Sequence, residues 1–213
     1  MSGSATGPGL AGVVEAIAAA LVEARDELNQ LDGAAGDGDL GLTAGRAAEA
    51  LREIAPTLPE LEPPAAARAI GMALARKAPS TGGTLIAFAC LAAGKVDPGG
   101  LTPGLPGLAI LLEAARDEVA ARGKVAVGDR TMLDALAPAV AAVRSAADAG
   151  ASIAVALTDA ATAADAGAAS TTDLAATTGR AGWLADRARG HEDAGARLVA
   201  IVFGAAARAV PGT

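Results

Sequence analysis

The sequence predicts an all-α fold, a bundle or barrel of eight antiparallel helices. Hydrophobic residues make up 52% of the 213 residues. Much of that share is alanine, the best helix former, which lets helices pack closely. Aromatic residues make up only 1%, whereas a β-sandwich or β-barrel would need more Val, Ile, Tyr and Phe. Mostly short connections separate the helical stretches, which favours antiparallel neighbours. The length suits a single domain, residues 1–213, that buries a real core.

Three helices are predicted in the first third of the chain, after a flexible lead at residues 1–8. The first covers residues 10–31, where apolar residues recur at a spacing of three to four. The second covers residues 41–54. The third opens at Pro63 and Pro64, because proline is tolerated in the first turn, and stops near Pro79.

Five more helices are predicted in the remainder. The fourth follows a glycine loop at residues 80–84, and the fifth covers residues 107–122. The sixth is expected to have Asp129 as its N-cap. Pro138 should kink this helix because it removes the hydrogen bond to the carbonyl of Asp134. A seventh helix reaches about residue 172, and an apolar eighth follows a loop at residues 178–193.

The net charge and the cysteine content argue against several classes of protein. A net charge of −7 and a pI near 4.7 argue against a nucleic-acid binder. Cys90 is the only cysteine, so neither a disulfide framework nor a thiolate zinc site is expected. It lies in an apolar run and is predicted to be a buried small hydrophobe. We see no signal peptide at the N-terminus and no apolar run long enough to span a membrane. A soluble cytoplasmic protein is therefore expected.

The aspartate turn, residues 32–39, is the strongest chemical signal in the sequence. It contains Asp32, Asp37 and Asp39, separated mainly by glycine and alanine. Three carboxylates this close repel one another unless a cation lies between them. Their hard oxygen ligands suit magnesium or calcium and do not suit zinc. The glycines of the stretch let the backbone bend so that the carboxylates converge: Gly33, Gly36, Gly38 and Gly41.

Three other interpretations of the turn were weighed. Its glycines spell the dinucleotide fingerprint GxGxxG, but that motif needs a preceding strand, and here a helix precedes it. An EF-hand loop starting at Asp32 would have Asp37 at its sixth position and Thr43 at its twelfth, where Gly and Glu are required. A surface turn in which Asp39 caps the next helix stays open on this stretch alone.

Three further stretches carry possible chemistry. The run STGGT at residues 80–84 could present backbone N–H groups to phosphate, or could simply be a helix start with a threonine cap. The run GDRTM at residues 128–132 could line a site, or could be a helix cap followed by a core methionine. The loop from Gly179 to Asp193 contains Arg180 and Trp183. It could close over a ligand, or it could be a solvated connection held down by one tryptophan.

Taken together, these four stretches resemble the nucleotide-binding L subunit of dihydroxyacetone kinase and the homologous domain of the single-chain ATP-dependent enzymes. The family pattern is an aspartate triad around GDGDHG, a Gly/Ser/Thr loop, a GDKTMLDAL-like helix start and a GRA…GHxDPGA loop. The corresponding runs here are DGAAGDGDLG, STGGT, GDRTMLDALAPA and GRAGWLADRARGHEDAGA, in the same order. The match covers nearly the whole chain.

The resemblance implies an eight-helix barrel that binds ADP or ATP and Mg²⁺ at one end, beneath a lid. It implies that two magnesium ions are held by Asp32, Asp37 and Asp39. It implies that phosphates meet backbone N–H groups of Thr81, Gly82 and Gly83. Residues expected to line the adenine side are Gly123, Thr131 and Met132. The residues that follow the triad are also expected to contact the nucleotide: Leu40, Gly41, Leu42 and Thr43. Arg180 would pair with a terminal phosphate as the catalytic group, and the lid would close through Asp193, Ala194 and Gly195.

Three positions depart from the family pattern. Leu40 replaces its histidine, Gly82 its usual serine, and Ala194 the proline of the lid. The first two remove polar groups near the phosphates, which leaves the phosphoryl donor and the substrate open. His191, the only histidine, falls in the lid motif. We interpret it as structural, with no covalent role.

The leading hypothesis is therefore an enzyme subunit that presents a phosphoryl group to a small ketose held on a sugar-binding partner subunit. ADP could stay bound and be rephosphorylated by a phosphotransferase-system protein, or ATP could exchange as substrate. A non-catalytic nucleotide-binding module that signals to a regulator is the alternative. Arg180 and the complete triad favour the enzyme. If the chain were only a helical interaction protein, the three clustered aspartates would have no function.

Overall fold

The computed structural model describes residues 9–175, 190–210 and 212, and these residues form an all-α structure, as predicted. Its α-helices are α1 (Leu10–Glu23), α2 (Arg25–Ala35), α3 (Leu40–Ile54), α4 (Pro63–Lys77), α5 (Thr81–Ala93), α6 (Leu105–Gly123), α7 (Leu133–Asp148), α8 (Ile153–Ser170) and α9 (Ala194–Ala209). Short 3₁₀ helices cover Ala55–Glu60, Pro98–Gly100 and Thr171–Asp173. The predicted lead at residues 1–8 lies outside this part of the chain.

The described residues contain one α-helix more than the eight predicted, because the first predicted helix divides at Ala24 into α1 and α2. The backbone hydrogen bonds continue through the division. The Ala24 N–H donates to the Ala20 carbonyl over 3.0 Å, and the Leu28 N–H donates to the Ala24 carbonyl over 2.9 Å. No Gly or Pro marks the position, so the sequence pattern reads as one helix.

Helix packing closes a ring. α1 packs against α3 and α9, and from α3 onward each helix packs against the next, so eight helices surround the core. α2 continues from α1 and lies against α3 and α9. Consecutive neighbours with short connections alternate in direction. The starts of α3, α5, α7 and α9 therefore share one end of the ring, and the described residues of the four motif stretches lie at or next to these starts.

Alanine makes the close packing possible. On α8, fully buried alanines recur every fourth residue and so lie on one face: Ala156, Ala160, Ala164 and Ala168. They share a core cluster with Ala135 and Ala139 of α7. The helices approach so closely that a Cβ on Gly167 would lie 2.9 Å from the Ala135 Cα. Small side chains therefore fill this core without aromatics.

Cys90 is partly buried and packs against the core cluster formed mainly by α1, α3 and α4. Burial raises the pKa of its thiol to about 11. The prediction of a small hydrophobe in the core agrees with this placement. Among the residues that the structure describes, no helix is both long and apolar enough to cross a membrane.

One local prediction on α7 was wrong. Asp129 is not the N-cap, because α7 begins at Leu133 and the Asp129 carboxylate accepts the Ala126 N–H over 2.7 Å inside the preceding connection. Pro138 lies inside α7, which runs as one element from Leu133 to Asp148, and a kink at this position stays a prediction. A proline interrupts one backbone hydrogen bond, and packing against both neighbouring helices outweighs that loss here.

Candidate nucleotide and metal site

The carboxylate of Asp32, the first residue of the aspartate turn, stabilises the conformation of the turn. Asp32, near the end of α2, accepts the backbone N–H of Asp39 over 2.9 Å and that of Leu40 over 3.3 Å, both through Oδ2. Gly38 has φ +75°, a left-handed conformation that glycine adopts without strain. Asp32 thus caps α3 from the neighbouring helix and sets the shape of the turn.

The three carboxylates converge as predicted from their spacing. One oxygen from each of Asp32, Asp37 and Asp39 lies within 4.8 Å of the others. Two ligands on opposite sides of one magnesium ion are about 4.2 Å apart, so small side-chain rotations would complete such a set. Asp32 is half-buried, whereas Asp37 and Asp39 are exposed and accessible to an ion from solvent. An all-oxygen donor set open on one side fits magnesium bound together with phosphate.

The structure bears on two alternatives for the turn. Asp39 occupies the N-cap position of α3, but its side chain makes no capping hydrogen bond, so the capping part of the surface-turn interpretation is wrong. The element before the GxGxxG run is α2, a helix, so the dinucleotide fingerprint lacks the strand it requires.

Asn29 also shapes the turn, and the sequence analysis missed it. Its side-chain oxygen accepts the Gly41 N–H over 2.7 Å. Gly41 is buried so close to the Arg25 carbonyl oxygen that a Cβ would collide with it. α2 and the start of α3 are therefore in backbone contact. No sequence signal marks the hydrogen bond, because it joins residues twelve positions apart.

The residues after the triad have different surroundings. The N–H groups of Leu40 and Gly41 already bond to α2 side chains, and Thr43 is buried. Leu42 is 43% exposed. Contact between these four residues and a nucleotide stays a prediction, and the exposed Leu42 and half-buried Leu40 side chains are the accessible parts.

The glycine loop forms the start of α5, with Ser80 as its cap in place of the expected threonine. The Ser80 Oγ accepts the Gly83 N–H over 3.0 Å. Gly83 lies against the Ala78 carbonyl oxygen, where a Cβ would collide. The first N–H groups of a helix have no acceptor within it. With Gly83 bonded to Ser80, the Thr81 and Gly82 N–H groups are the ones at this helix start that can meet a ligand.

Contacts around Gly82 and Met132 bring all four connections together. A Cβ on Gly82 would lie 4.0 Å from Leu40 Cδ1 and 4.0 Å from Met132 Cε. A Cβ on Gly195, in the first turn of α9, would lie 3.3 Å from Met132 Cβ. The aspartate turn, the glycine loop, the α7 start and the α9 start therefore meet at one place.

Asp134 organises the residues before α7. Its two carboxylate oxygens accept the N–H groups of Gly128 over 2.5 Å and of Thr131 over 2.7 Å. The Leu133 N–H in turn donates to the Thr131 Oγ over 3.2 Å. The bond from the Thr131 N–H to Asp134 is one half of a capping box, because the Thr131 hydroxyl accepts the Leu133 N–H and not that of Asp134. The run Thr131-Met-Leu-Asp134 signals such a box in the sequence, and it was not predicted.

Gly123 ends α6 and lies against α5, since a Cβ there would be 3.7 Å from Leu85 Cδ2. Thr131 and Met132 are half-buried at the α7 start. Their grouping on the adenine side of a nucleotide stays a prediction, supported for Met132 by its position against Gly82.

Asp193 is the N-cap of α9. Its carboxylate accepts the Ala196 N–H over 2.8 Å, and its own N–H donates to the Thr171 Oγ over 2.7 Å. The pKa of Asp193 is raised from 3.8 to about 6, chiefly by burial and also by the nearby Asp134 charge. The hydrogen bond from Ala196 and the Arg130 charge act in the opposite direction. Carboxyl groups with a perturbed pKa are frequent at functional sites.

Arg180 and Trp183 lie outside the described residues, so the predicted catalytic arginine and the middle of the lid motif stay predictions. From the lid motif the structure shows Gly190 onward. Ala194 is buried, and Gly195 faces Met132.

A family model described as the DAK2 domain matches residues 34–208. The chain belongs to this family. The matched range includes the Asp37 and Asp39 carboxylates, the glycine loop, the α7 start and the α9 start.

Relatives that the chain matches carry kinase names. The chain is 33% identical over 185 residues to the PEP-dependent dihydroxyacetone kinase 1, ADP-binding subunit DhaL, of Listeria innocua, covering 85% of each chain. It is 34% identical over 204 residues to the triokinase/FMN cyclase of Mus musculus, covering 95% of this chain and 35% of that protein.

A solved structure shares the fold. The crystal structure of the dihydroxyacetone kinase from C. freundii in complex with AMP-PNP and Mg²⁺ is matched with a TM-score of 0.75 and 28% identity. The match covers 98% of this chain and 36% of that one. The chain thus spans about a third of the length of the mouse relative and of the crystallised kinase, and most of the length of the Listeria subunit.

Proposed function

We propose that this protein is the nucleotide-binding, phosphoryl-transferring subunit or domain of a small-ketose kinase of the dihydroxyacetone kinase type. The observation that supports this most directly is the convergence at one end of the ring. Three carboxylates lie within 4.8 Å of one another, and the adjoining Leu40 packs beside Gly82 at the start of α5.

Asp32, Asp37 and Asp39 would hold magnesium, and the proposal includes two ions. Bound magnesium neutralises phosphate charge and orients the group that is transferred. Asp32 is held in place by two backbone N–H groups, so its carboxylate is already oriented for this task. Asp37 and Asp39, being exposed, can turn toward an ion that arrives with a nucleotide.

The start of α5 would bind the phosphates. Free N–H groups and the helix dipole both favour negative charge at a helix N-terminus. Thr81 and Gly82 present such groups, while the bond between Gly83 and Ser80 fixes the turn. Arg180 would act on the transferring phosphoryl group with its planar donors. Phosphoryl transfer depends mainly on such positioning and charge neutralisation, since the protein takes little part in covalent chemistry.

The sugar would be held on a partner subunit or a further domain. The relatives' names point to trioses and dihydroxyacetone, so a small ketose is the proposed acceptor. For the donor, tightly bound ADP that a phosphotransferase-system protein recharges and freely exchanging ATP are both compatible with this site. Identifying the nucleotide that co-purifies with the protein distinguishes them: retained ADP supports the first, and an empty site that binds ATP supports the second.

Calorimetry with Mg–ADP, followed by kinase assays, tests the proposal. We expect binding that is lost in excess chelator. We also expect negligible ketose phosphorylation by this chain alone, and activity once a sugar-binding subunit of this family is added. Nucleotide binding that persists unchanged in chelator, or robust turnover of dihydroxyacetone with ATP by the chain alone, contradicts the proposal. Nucleotide binding with no transfer to any ketose in the reconstituted complex would favour the regulatory alternative, which the departures at Leu40 and Gly82 motivate.

A further inference from the structure

Buried polar residues are concentrated at the site end of the ring. In the described part of the chain four are buried, and three of these, Arg130, Asp134 and Thr171, lie around the start of α7. Arg130 is only 2% exposed. An arginine is almost never buried without partners, because its charge must leave water. The hydrogen-bond partners of Arg130 therefore indicate which parts of the structure it stabilises.

The Arg130 guanidinium bridges two distant parts of the chain. Its Nε donates to the Thr171 carbonyl over 3.1 Å, and its Nη2 donates to the His191 carbonyl over 2.7 Å. The Thr171 carbonyl lies before the lid motif in the chain, and the His191 carbonyl lies in the C-terminal part of that motif. Thr171 in turn accepts the Asp193 N–H through its hydroxyl. One side chain from the α6–α7 connection thus holds both segments together just before α9 begins.

The backbone of Arg130 has an unusual conformation. Its φ is +62°, in the left-handed region that non-glycine residues rarely adopt. Such a conformation persists only where neighbouring contacts enforce it. The two Asp134 hydrogen bonds to Gly128 and Thr131 lie on either side of Arg130 in the chain and supply that constraint.

We propose that Arg130 is a positioning residue of the nucleotide site, which fixes Asp193–Gly195 against Thr131 and Met132. This inference rests on the proposed function. The two groups are in contact, since a Cβ on Gly195 would lie 3.3 Å from Met132 Cβ. Without Arg130, the segment that leads into α9 keeps fewer bonds to the α7 start, and the two sides of the site can separate.

The guanidinium suits this task better than a shorter or neutral group. Its planar fork donates from two different nitrogens to two acceptors at once. Its charge also offsets the neighbouring carboxylates, and the Arg130 charge favours the ionised form of Asp193. An apolar side chain of similar length would fill the space but leave two buried carbonyls without their donor, which is costly.

The test compares Arg130→Met and Arg130→Lys with the control Arg144→Met. Arg144 lies on α7 toward its far end and donates two hydrogen bonds to Glu113 over 2.7 and 2.8 Å, so the control also removes an arginine that makes two hydrogen bonds. Hydrogen exchange of the ligand-free proteins and calorimetry with Mg–ADP are measured for all. In Arg130→Met we expect faster exchange at Thr171–Asp173 and 190–196. We also expect nucleotide affinity to fall on the order of ten- to a hundredfold, as when outer-shell groups are removed.

Arg130→Lys should lose less affinity, because its ammonium keeps the charge and can reach one carbonyl. It is also the variant to use if Arg130→Met does not fold. Arg144→Met should lower the melting temperature without changing exchange at 190–196 or the affinity of the folded protein. The inference about Arg130 fails if folded Arg130→Met binds Mg–ADP within twofold of wild type. It also fails if Arg144→Met loses as much affinity as Arg130→Met. Neither result affects the proposed function. A wild-type protein that binds no Mg–ADP overturns the proposed function and this inference with it.

Discussion

The carboxylate of Asp32 accepts the backbone N–H of Asp39 over 2.9 Å, so the first aspartate of the triad fixes the position of the last. Replacing Asp32 would therefore remove a ligand and also disturb the turn. Asp37 is exposed and lies between them. It offers the cleaner test of metal binding.

Asp37→Asn should weaken magnesium and nucleotide binding together. The change removes one negative charge from three clustered carboxylates, and phosphates are expected to supply further ligands to the same ion. Calorimetry with Mg–ADP, with Mg²⁺ alone and with ADP in chelator measures the linkage. Asp159→Asn, an exposed aspartate near the start of α8, is the matched control and should bind as wild type does. Loss of nucleotide affinity that is the same with and without magnesium would show that Asp37 does not act through a metal.

Gly82→Ser should restore a hydroxyl beside the phosphates without strain. A Cβ at this position meets its neighbours at 4.0 Å, which is ordinary contact. One neutral hydrogen bond to a phosphate would raise Mg–ADP affinity by about three- to tenfold. Gly82→Ala is the control, since it adds the Cβ without the hydroxyl. Equal affinities for the two variants would mean that the hydroxyl does not reach the nucleotide.

Asp193→Asn should change how stability depends on pH. The folded protein binds a proton at Asp193 more tightly than the unfolded chain, because burial raises its pKa from 3.8 to about 6. The wild-type free energy of unfolding should therefore gain a contribution as the pH falls from 7 through 6 toward 4. The variant lacks that contribution and should be more stable at pH 7 by up to about 3 kcal/mol.

Asparagine caps a helix about as well as aspartate, so the α9 start should survive this change. Urea unfolding at pH 7 and pH 5, without nucleotide or magnesium, gives the comparison. Parallel stability curves for the two proteins would rule out a raised pKa for Asp193. A less stable variant at pH 7 would mean that the charged carboxylate is favoured by its surroundings.

Gly167→Ala should destabilise the fold by about 1–3 kcal/mol, the cost of overpacking a tight core. A Cβ there would lie 2.9 Å from the Ala135 Cα and closer still to the Asp134 carbonyl oxygen, both of which are backbone atoms. Gly204→Ala on α9 is the control. Its Cβ would meet only the end of the Arg208 side chain, which can move, so stability should stay within about 1 kcal/mol or rise. Chemical unfolding of both variants decides whether helix spacing at Gly167 is as tight as described.

Arg180→Ala should lower turnover on the order of a thousandfold in the reconstituted complex, the scale seen for arginines in phosphoryl transfer. Nucleotide affinity should fall much less, because the metal site would still hold the phosphates. Arg180→Lys should recover little activity, since an ammonium lacks the planar fork. Equal losses in turnover and in nucleotide affinity would mean that Arg180 contributes to binding in the ground state and not specifically to the transition state.

The sequence alone determined the fold class and indicated which stretches form the candidate site. Alanine-rich helical periodicity with proline and glycine between the segments is a local property, and it predicted most helices within a few residues. The triad was visible because Asp32, Asp37 and Asp39 are close along the chain, so their convergence needed only a bend. The order of four short motifs then indicated the family, which the DAK2 domain match confirmed.

Only the tertiary structure decided which residues support the site. The bonds from Asn29 to Gly41 and from Arg130 to Thr171 and His191 join positions 12, 41 and 61 residues apart, and no local pattern encodes such pairs. Likewise, a Cβ on Gly82 would meet Leu40 and Met132 because the closed helix ring brings alternate connections to one end. Local sequence fixes backbone periodicity, whereas packing between distant helices fixes which side chains meet.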